Sequence, residues 1–154
     1  MAYAVVRVRG QPDVNRDIEH TMKLLNLTRV NHCVIVPEDD ITKGMLNKAK
    51  DYVTWGEVSE DVVLTLLQER GRMPGNKALS DEYLSESSEF ASLKELAAAI
   101  AGGDARLSAV DSVKPVFRLH PPVKGYEGNK RSFRVGGALG YRGEAINELL
   151  ARMI

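Results

Sequence analysis

His32-Cys33-Val34-Ile35-Val36-Pro37 reads as a strand packed on both faces, because its apolar run is nearly continuous and a proline closes it. Upstream, Val14, Ile18, Met22 and Leu25 recur at spacings of four, four and three, the apolar stripe of a helix. Asp13 is placed to cap that helix and Asn26 to stop it. Before it, Ala2 to Arg9 alternates as a strand, with Ala4, Val6 and Val8 on one face and Tyr3, Val5, Arg7 and Arg9 on the other. Gly10 and Pro12 end it.

Downstream, Glu38, Asp39 and Asp40 put negative charge where a helix N-terminus favours it. The spacing turns Ile41, Met45, Leu46 and Ala49 inward and leaves Lys43, Lys48 and Lys50 on or near the exposed side. Tyr52-Val53-Thr54-Trp55 forms a third strand that finishes at Gly56. Residues 1–56 therefore read β-α-β-α-β, an α+β core of sheet against two helices.

Residues 57–113 read as an acidic helical insertion. Ser59 caps one helix with the stripe Val62, Val63, Leu66 and Leu67, and Gly71 to Gly75 is a loop. Ser92 and Glu95 have capping-box spacing ahead of Leu93, Leu96, Ala97 and Ile100, and Gly102-Gly103 follows. This segment is assigned packing and no chemistry. Residues 114–154 read as a basic extension: a short strand from Val116 to Leu119, Pro121-Pro122, a long loop, and a final helix bearing Ile146, Leu149, Leu150 and Met153.

Net charge over the 154 residues is zero, but its distribution is uneven. Residues 57–104 hold four basic and ten acidic side chains, whereas residues 114–154 hold eight basic and three acidic. A basic segment is the electrostatic footprint of phosphate binding, although an uneven solvated surface gives the same count. The 18 residues from Val123 to Gly140 contain five glycines and the cations Lys124, Lys130, Arg131 and Arg134. So little apolar surface does not offset its own ordering entropy, so the stretch reads as a loop that folded RNA would order. Tyr126, Phe133 and Tyr141 are available to stack on unpaired bases. Arg7 and Arg9, beside Tyr3, make a suggestive sheet face of the same kind.

Other chemistries fare worse. No apolar run nears the roughly 18 residues that cross a bilayer, and the start lacks the n-region of a signal peptide. The single Cys33 forms no internal disulfide, which favours a reducing cytoplasm. His32 and Cys33 point to opposite faces of a strand and cannot serve as base and nucleophile. His20, His32 and His120 form no metal-ligand pattern. Gly136-Gly137-Ala138-Leu139-Gly140 lacks the Lys-Ser/Thr of a P-loop. A small-molecule-sensing module and an enzyme stay as rivals, and both leave the basic segment unexplained.

The strongest pointers are longer motifs: Arg9-Gly10-Gln11-Pro12, Leu24-Leu25-Asn26-Leu27 leading into Val30-Asn31-His32-Cys33, Gly44-Met45-Leu46-Asn47-Lys48, and Tyr52-Val53-Thr54-Trp55-Gly56. This portion resembles the large-subunit ribosomal protein family called L-thirty in bacteria and archaea, related to L-seven in eukaryotes. Phe117-Arg118-Leu119-His120-Pro121-Pro122 and Gly136-Gly137-Ala138-Leu139-Gly140-Tyr141-Arg142 are similar to the archaeal C-terminal extension.

The resemblance implies three antiparallel strands with two helices on one face, a truncated ferredoxin-like fold. It implies a non-enzymatic structural constituent of the large (50S) ribosomal subunit in the cytoplasm. Its partners would be 23S rRNA, with 5S rRNA close by, and neighbouring ribosomal proteins, with no cofactor, metal, membrane or small-molecule substrate. Asn31, His32, Gly44, Asn47 and Lys48 match the motif that meets RNA in relatives, and His120, Lys124, Lys130, Arg131, Arg134 and Arg142 lie in the matching extension. Arg7, Arg9 and Lys43 complete the candidate RNA-binding set. Two features depart from the wider family: the neutral total charge, and the absence of the long basic N-terminal arm of eukaryotic relatives, which favours an archaeal source.

Overall fold

Every side chain of β1 (Ala2–Arg7) is buried, so this strand has protein on both faces and on both edges. A computed structural model describes residues 2–10, 12–73, 75, 77–87, 89–106 and 113–154. Gln11 of the first motif, Pro74 of the expected loop and residues 107–112 of the insertion lie outside the described residues.

The three strands expected from residues 1–56 are present. β2 (His32–Pro37) and β3 (Val53–Glu57) flank β1, both antiparallel to it. Between them run α1 (Arg16–Leu24) and α2 (Asp40–Lys48). Tyr3, Val5, Val34 and Trp55 meet Met22, Leu25, Leu46 and Ala49 in the core beneath these two helices. Helix α1 starts later than expected. Asp13 adopts a positive φ of 58° in the preceding turn, and Asn15 is the cap, its Oδ1 accepting from Asp17 N at 2.9 Å. In α2 the expected inward Ile41 is 79% exposed, and Thr42 takes the buried place beside Leu46.

The sheet is larger than the three strands expected, and helices cover both of its faces. The insertion supplies α3 (Glu60–Arg70), a two-stranded ribbon of β4 (Arg72–Met73) and β5 (Lys77–Ala78), α4 (Asp81–Ser87) and α5 (Leu93–Gly102). The extension supplies β6 (Phe117–Arg118), β7 (Gly128–Ser132), a 3-10 turn (Phe133–Val135), β8 (Gly137–Tyr141) and α6 (Ala145–Met153). Six strands lie in the order β6-β2-β1-β3-β8-β7. Ala4, Val6 and Cys33, on the second face, pack against Leu66 and Leu67 of α3, Leu96 and Ile100 of α5, and Ile146 and Leu149 of α6. The physical reason is plain: a three-stranded sheet would have left that apolar face bare and two edges unpaired.

The stretch 123–140 is likewise not a loop throughout. β8 runs parallel to β3, pairing Thr54 with Gly140 and Trp55 with Tyr141, and β7 closes the sheet beside β8. A parallel pair normally needs a long crossover. Here only residues 133–136 join the two strands, and the register shifts between Gly128 and Ser132. A Cβ at position 137 would collide with the Arg131 carbonyl, so only glycine permits this approach.

Candidate RNA-binding surface

Helix α2 presents the clearest face. Asp39 caps it, its Oδ1 accepting from Thr42 N at 2.7 Å, and that backbone donor holds the Asp39 carboxyl below its usual range. With Thr42, Leu46 and Ala49 turned into the core, the helical period leaves Lys43, Gly44, Asn47 and Lys48 on one exposed strip. Gly44 is not required by the fold, because a Cβ there would meet nothing within 4 Å.

Beside this strip lies a hollow of about 260 Å³ lined by Lys43, Asn47, Tyr3, Trp55 and Tyr141. Tyr141 stands edge-on to Tyr3 at 6.4 Å between ring centroids and tilted to Trp55 at 6.4 Å. It is 49% exposed, although aromatic rings usually bury most of their area. Its hydroxyl sits 2.6 Å and 2.8 Å from the two carboxylate oxygens of Glu57, and that hydrogen bond raises its pKa to about 12. Tyr3 donates to Glu38 Oε1 at 3.1 Å, and burial with this bond raises it to about 12 as well. Glu38 also pairs with Lys43 at 3.8 Å. The rings are therefore neutral and fixed in orientation. Together the hollow offers a ring edge, an amide and an ammonium, which suits an unpaired base on a phosphate backbone.

The other predicted residues scatter. Lys124, Lys130, Arg131 and Arg134 are exposed; Lys130 and Arg131 lie on edge strand β7, and Arg134 on the following turn. Arg9 is half-buried, 5.1 Å above the Tyr52 ring, with Nη1 donating to Asp51 O at 3.4 Å. Asn31, at a φ of 68°, accepts from the Tyr126 hydroxyl at 2.6 Å and so ties the extension to the core. His120 has its ring nitrogens 2.6 Å from Pro121 O and 3.0 Å from Ile154 O, an anchor for the C-terminus. His32 is partly buried opposite Arg118 of β6, its Nδ1 without a partner among the described residues. Burial first, then Arg118, Arg29 and Arg7, lower its pKa.

Two of the candidate residues lie in the interior of the protein. Arg7 is 1% exposed, with Nε donating to Arg9 O at 2.9 Å and Nη1 to Leu27 O at 2.8 Å. Arg142 is 5% exposed; its Nε donates to Thr54 Oγ1 at 2.8 Å, its Nη2 donates to Ala138 O at 2.8 Å, and Nη2 lies 3.6 Å from Glu127 Oε2. Both guanidiniums turn donors to acceptors inside the protein, as a buried cation requires, although the buried Nη2 of Arg7 has no partner among the described residues. Trp55 was missed as a lining residue of the hollow because, at 7% exposed, it belongs to the core, as a strand tryptophan ordinarily does.

Comparison with known proteins gives a consistent picture. The family model for ribosomal protein L30p/L7e matches residues 3–53. The chain is 52% identical over 152 residues, 99% of each chain, to large ribosomal subunit protein uL30 of Methanosphaera stadtmanae. It is 52% identical over 156 residues, the whole of both chains, to uL30 of Methanococcus maripaludis. It is 48% identical to uL30 of Thermoplasma volcanium, across 98% of this chain and 92% of that one. With half of its residues shared along its full length, the chain belongs to the uL30 family of large ribosomal subunit proteins.

Proposed function

We propose that this protein is a structural constituent of the large ribosomal subunit that holds folded ribosomal RNA, acting by binding and not by catalysis. The observation that carries this reading is the strip of Lys43, Gly44, Asn47 and Lys48 set against the exposed ring of Tyr141. Cations there replace the counterions of phosphates, and the aromatic hollow receives a base that has left its stack. The exposed cations of β7 and the turn after it, Lys130, Arg131 and Arg134, extend the contact. In the ribosome the partner RNA would be 23S, with 5S and other large-subunit proteins nearby. Arg7 and Arg142 belong to the scaffold and leave the contact set.

The test is sedimentation of cell lysate on a sucrose gradient, probing for this chain. Co-migration with large subunits is expected; accumulation at the top of the gradient overturns the reading. Gly44 supplies a finer check. In the free protein Gly44→Ala should stabilise by up to about 1 kcal/mol, since glycine is a poor helix former and nothing crowds the site. If RNA approaches the backbone at Gly44, the same substitution weakens rRNA binding while the urea midpoint rises. Unchanged binding removes Gly44 from the contact.

A further inference from the structure

Arg70, Arg72, Lys114 and Arg118 converge, with Val116, on a hollow of about 170 Å³ at the β6 edge of the sheet. They come from separate stretches: the end of α3, strand β4 and the approach to β6. Backbone contacts hold them together. Arg70 Nη1 donates to Arg118 O at 3.4 Å, Arg72 Nη1 to Gly71 O at 2.9 Å and Glu69 O at 3.2 Å, and Lys114 N to Arg72 O at 3.0 Å. No carboxylate among the described residues pairs with any of the four. Four cations gathered without counter-charge repel one another, so such a cluster is unfavourable unless something anionic fills it. The field reaches His32, whose proton affinity is lowered by burial and then by Arg118.

We propose that this hollow binds the phosphate backbone of RNA as a second contact, separate from the α2–β8 surface. The inference rests on the rRNA-binding reading above. Planar guanidiniums match phosphate oxygens in paired hydrogen bonds, and Arg72 is already oriented by two carbonyls. Among the described residues the lining has no aromatic ring on which a base could stack, so the contact positions RNA without reading its sequence. β6 and β8 are separated by β2, β1 and β3, a distance of about 19 Å at the usual strand spacing. The two contacts therefore fall on different stretches of RNA, and the chain acts as a brace between them. It also gives chemistry to the acidic insertion: two of that segment's few cations face this hollow.

The experiment uses the full chain and large-subunit rRNA, with binding followed across a potassium chloride series. Lys114→Gln/Arg118→Gln is the first variant, since neither side chain donates a hydrogen bond among the described residues. Arg70→Gln/Arg72→Gln is the second. Each pair should lower the slope of log affinity against log salt by roughly 1.4 to 1.8, with the unfolding midpoint of the first pair unchanged. A wild-type slope in both variants overturns the inference and leaves the α2–β8 reading intact. A wild-type chain that does not bind rRNA overturns both. A first variant that loses polyglutamate binding but keeps the wild-type rRNA slope would assign the hollow to an acidic protein segment, and the proposal falls.

Discussion

The two edges of the sheet come from the same basic extension, yet they are built in opposite ways. β7 is five residues long, lies in irregular register on β8, and carries Lys130 and Arg131, with Arg134 in the turn that follows. None of these three cations has an ion-pair or side-chain hydrogen-bond partner among the described residues. β6 is two residues long, pairs regularly with β2, and borders four cations of which two are fastened to backbone carbonyls. Both edges block unwanted strand addition with charge. They differ in what ligand binding asks of them. The β7 cations must give up side-chain freedom on meeting RNA, whereas Arg70 and Arg72 at the β6 edge are already oriented.

That contrast is broken most severely at Arg142, the guanidinium joining β8 to Thr54 of β3 and to Glu127. Arg142→Met should destabilise the protein by about 3 kcal/mol, because buried acceptors lose a charged donor. Arg118→Met, at the other edge, should stay within about 0.5 kcal/mol. Urea unfolding measures both, and equal effects would mean that the β7–β8 edge does not hang on Arg142. Next in size is the triple replacement of Lys130, Arg131 and Arg134 by alanine. Stability should hardly move, while the salt slope of rRNA binding falls by up to about 3. An unchanged affinity and slope would strip β7 of its RNA role.

How much of this could be read beforehand divides by the range of the interaction. The alternation of Ala2 to Arg9 and the apolar run at His32 placed the central strands correctly, and the caps at Ser59 and Ser92 hold as expected, with Oγ accepting at 3.4 Å and 3.3 Å. Such signals are local. The second face of β1 was not legible, because Ala4 and Val6 look the same whether solvent or α5 covers them. Nor was the pairing of β8 with β3, which joins residues more than eighty positions apart and leaves only glycines as its trace. Arg7 and Arg142 show the same limit for the site. An arginine's type announces a cation, and only its neighbours decide whether it greets RNA or a backbone carbonyl.

The smallest expected effect is a pH dependence at the β6 edge, where His32 faces Arg118. Burial and neighbouring cations hold the folded pKa of His32 below its ordinary value near 6.5. In the window beneath that value the unfolded chain binds more protons than the folded one, so stability rises with pH there. The contribution is fully present above about pH 6.5 and is lost as pH falls through the folded pKa. His32→Gln should flatten that part of the stability–pH curve, read from urea unfolding between about pH 5 and 7.5. Arg118→Gln should flatten it only in part, since burial, the larger cause, remains. RNA phosphate in the neighbouring hollow would act in the same direction by offsetting Arg118. An imidazole titration followed by NMR, unmoved by Arg118→Gln, would show that the cations at this edge do not share one field, and the contrast with β7 would lose its electrostatic half.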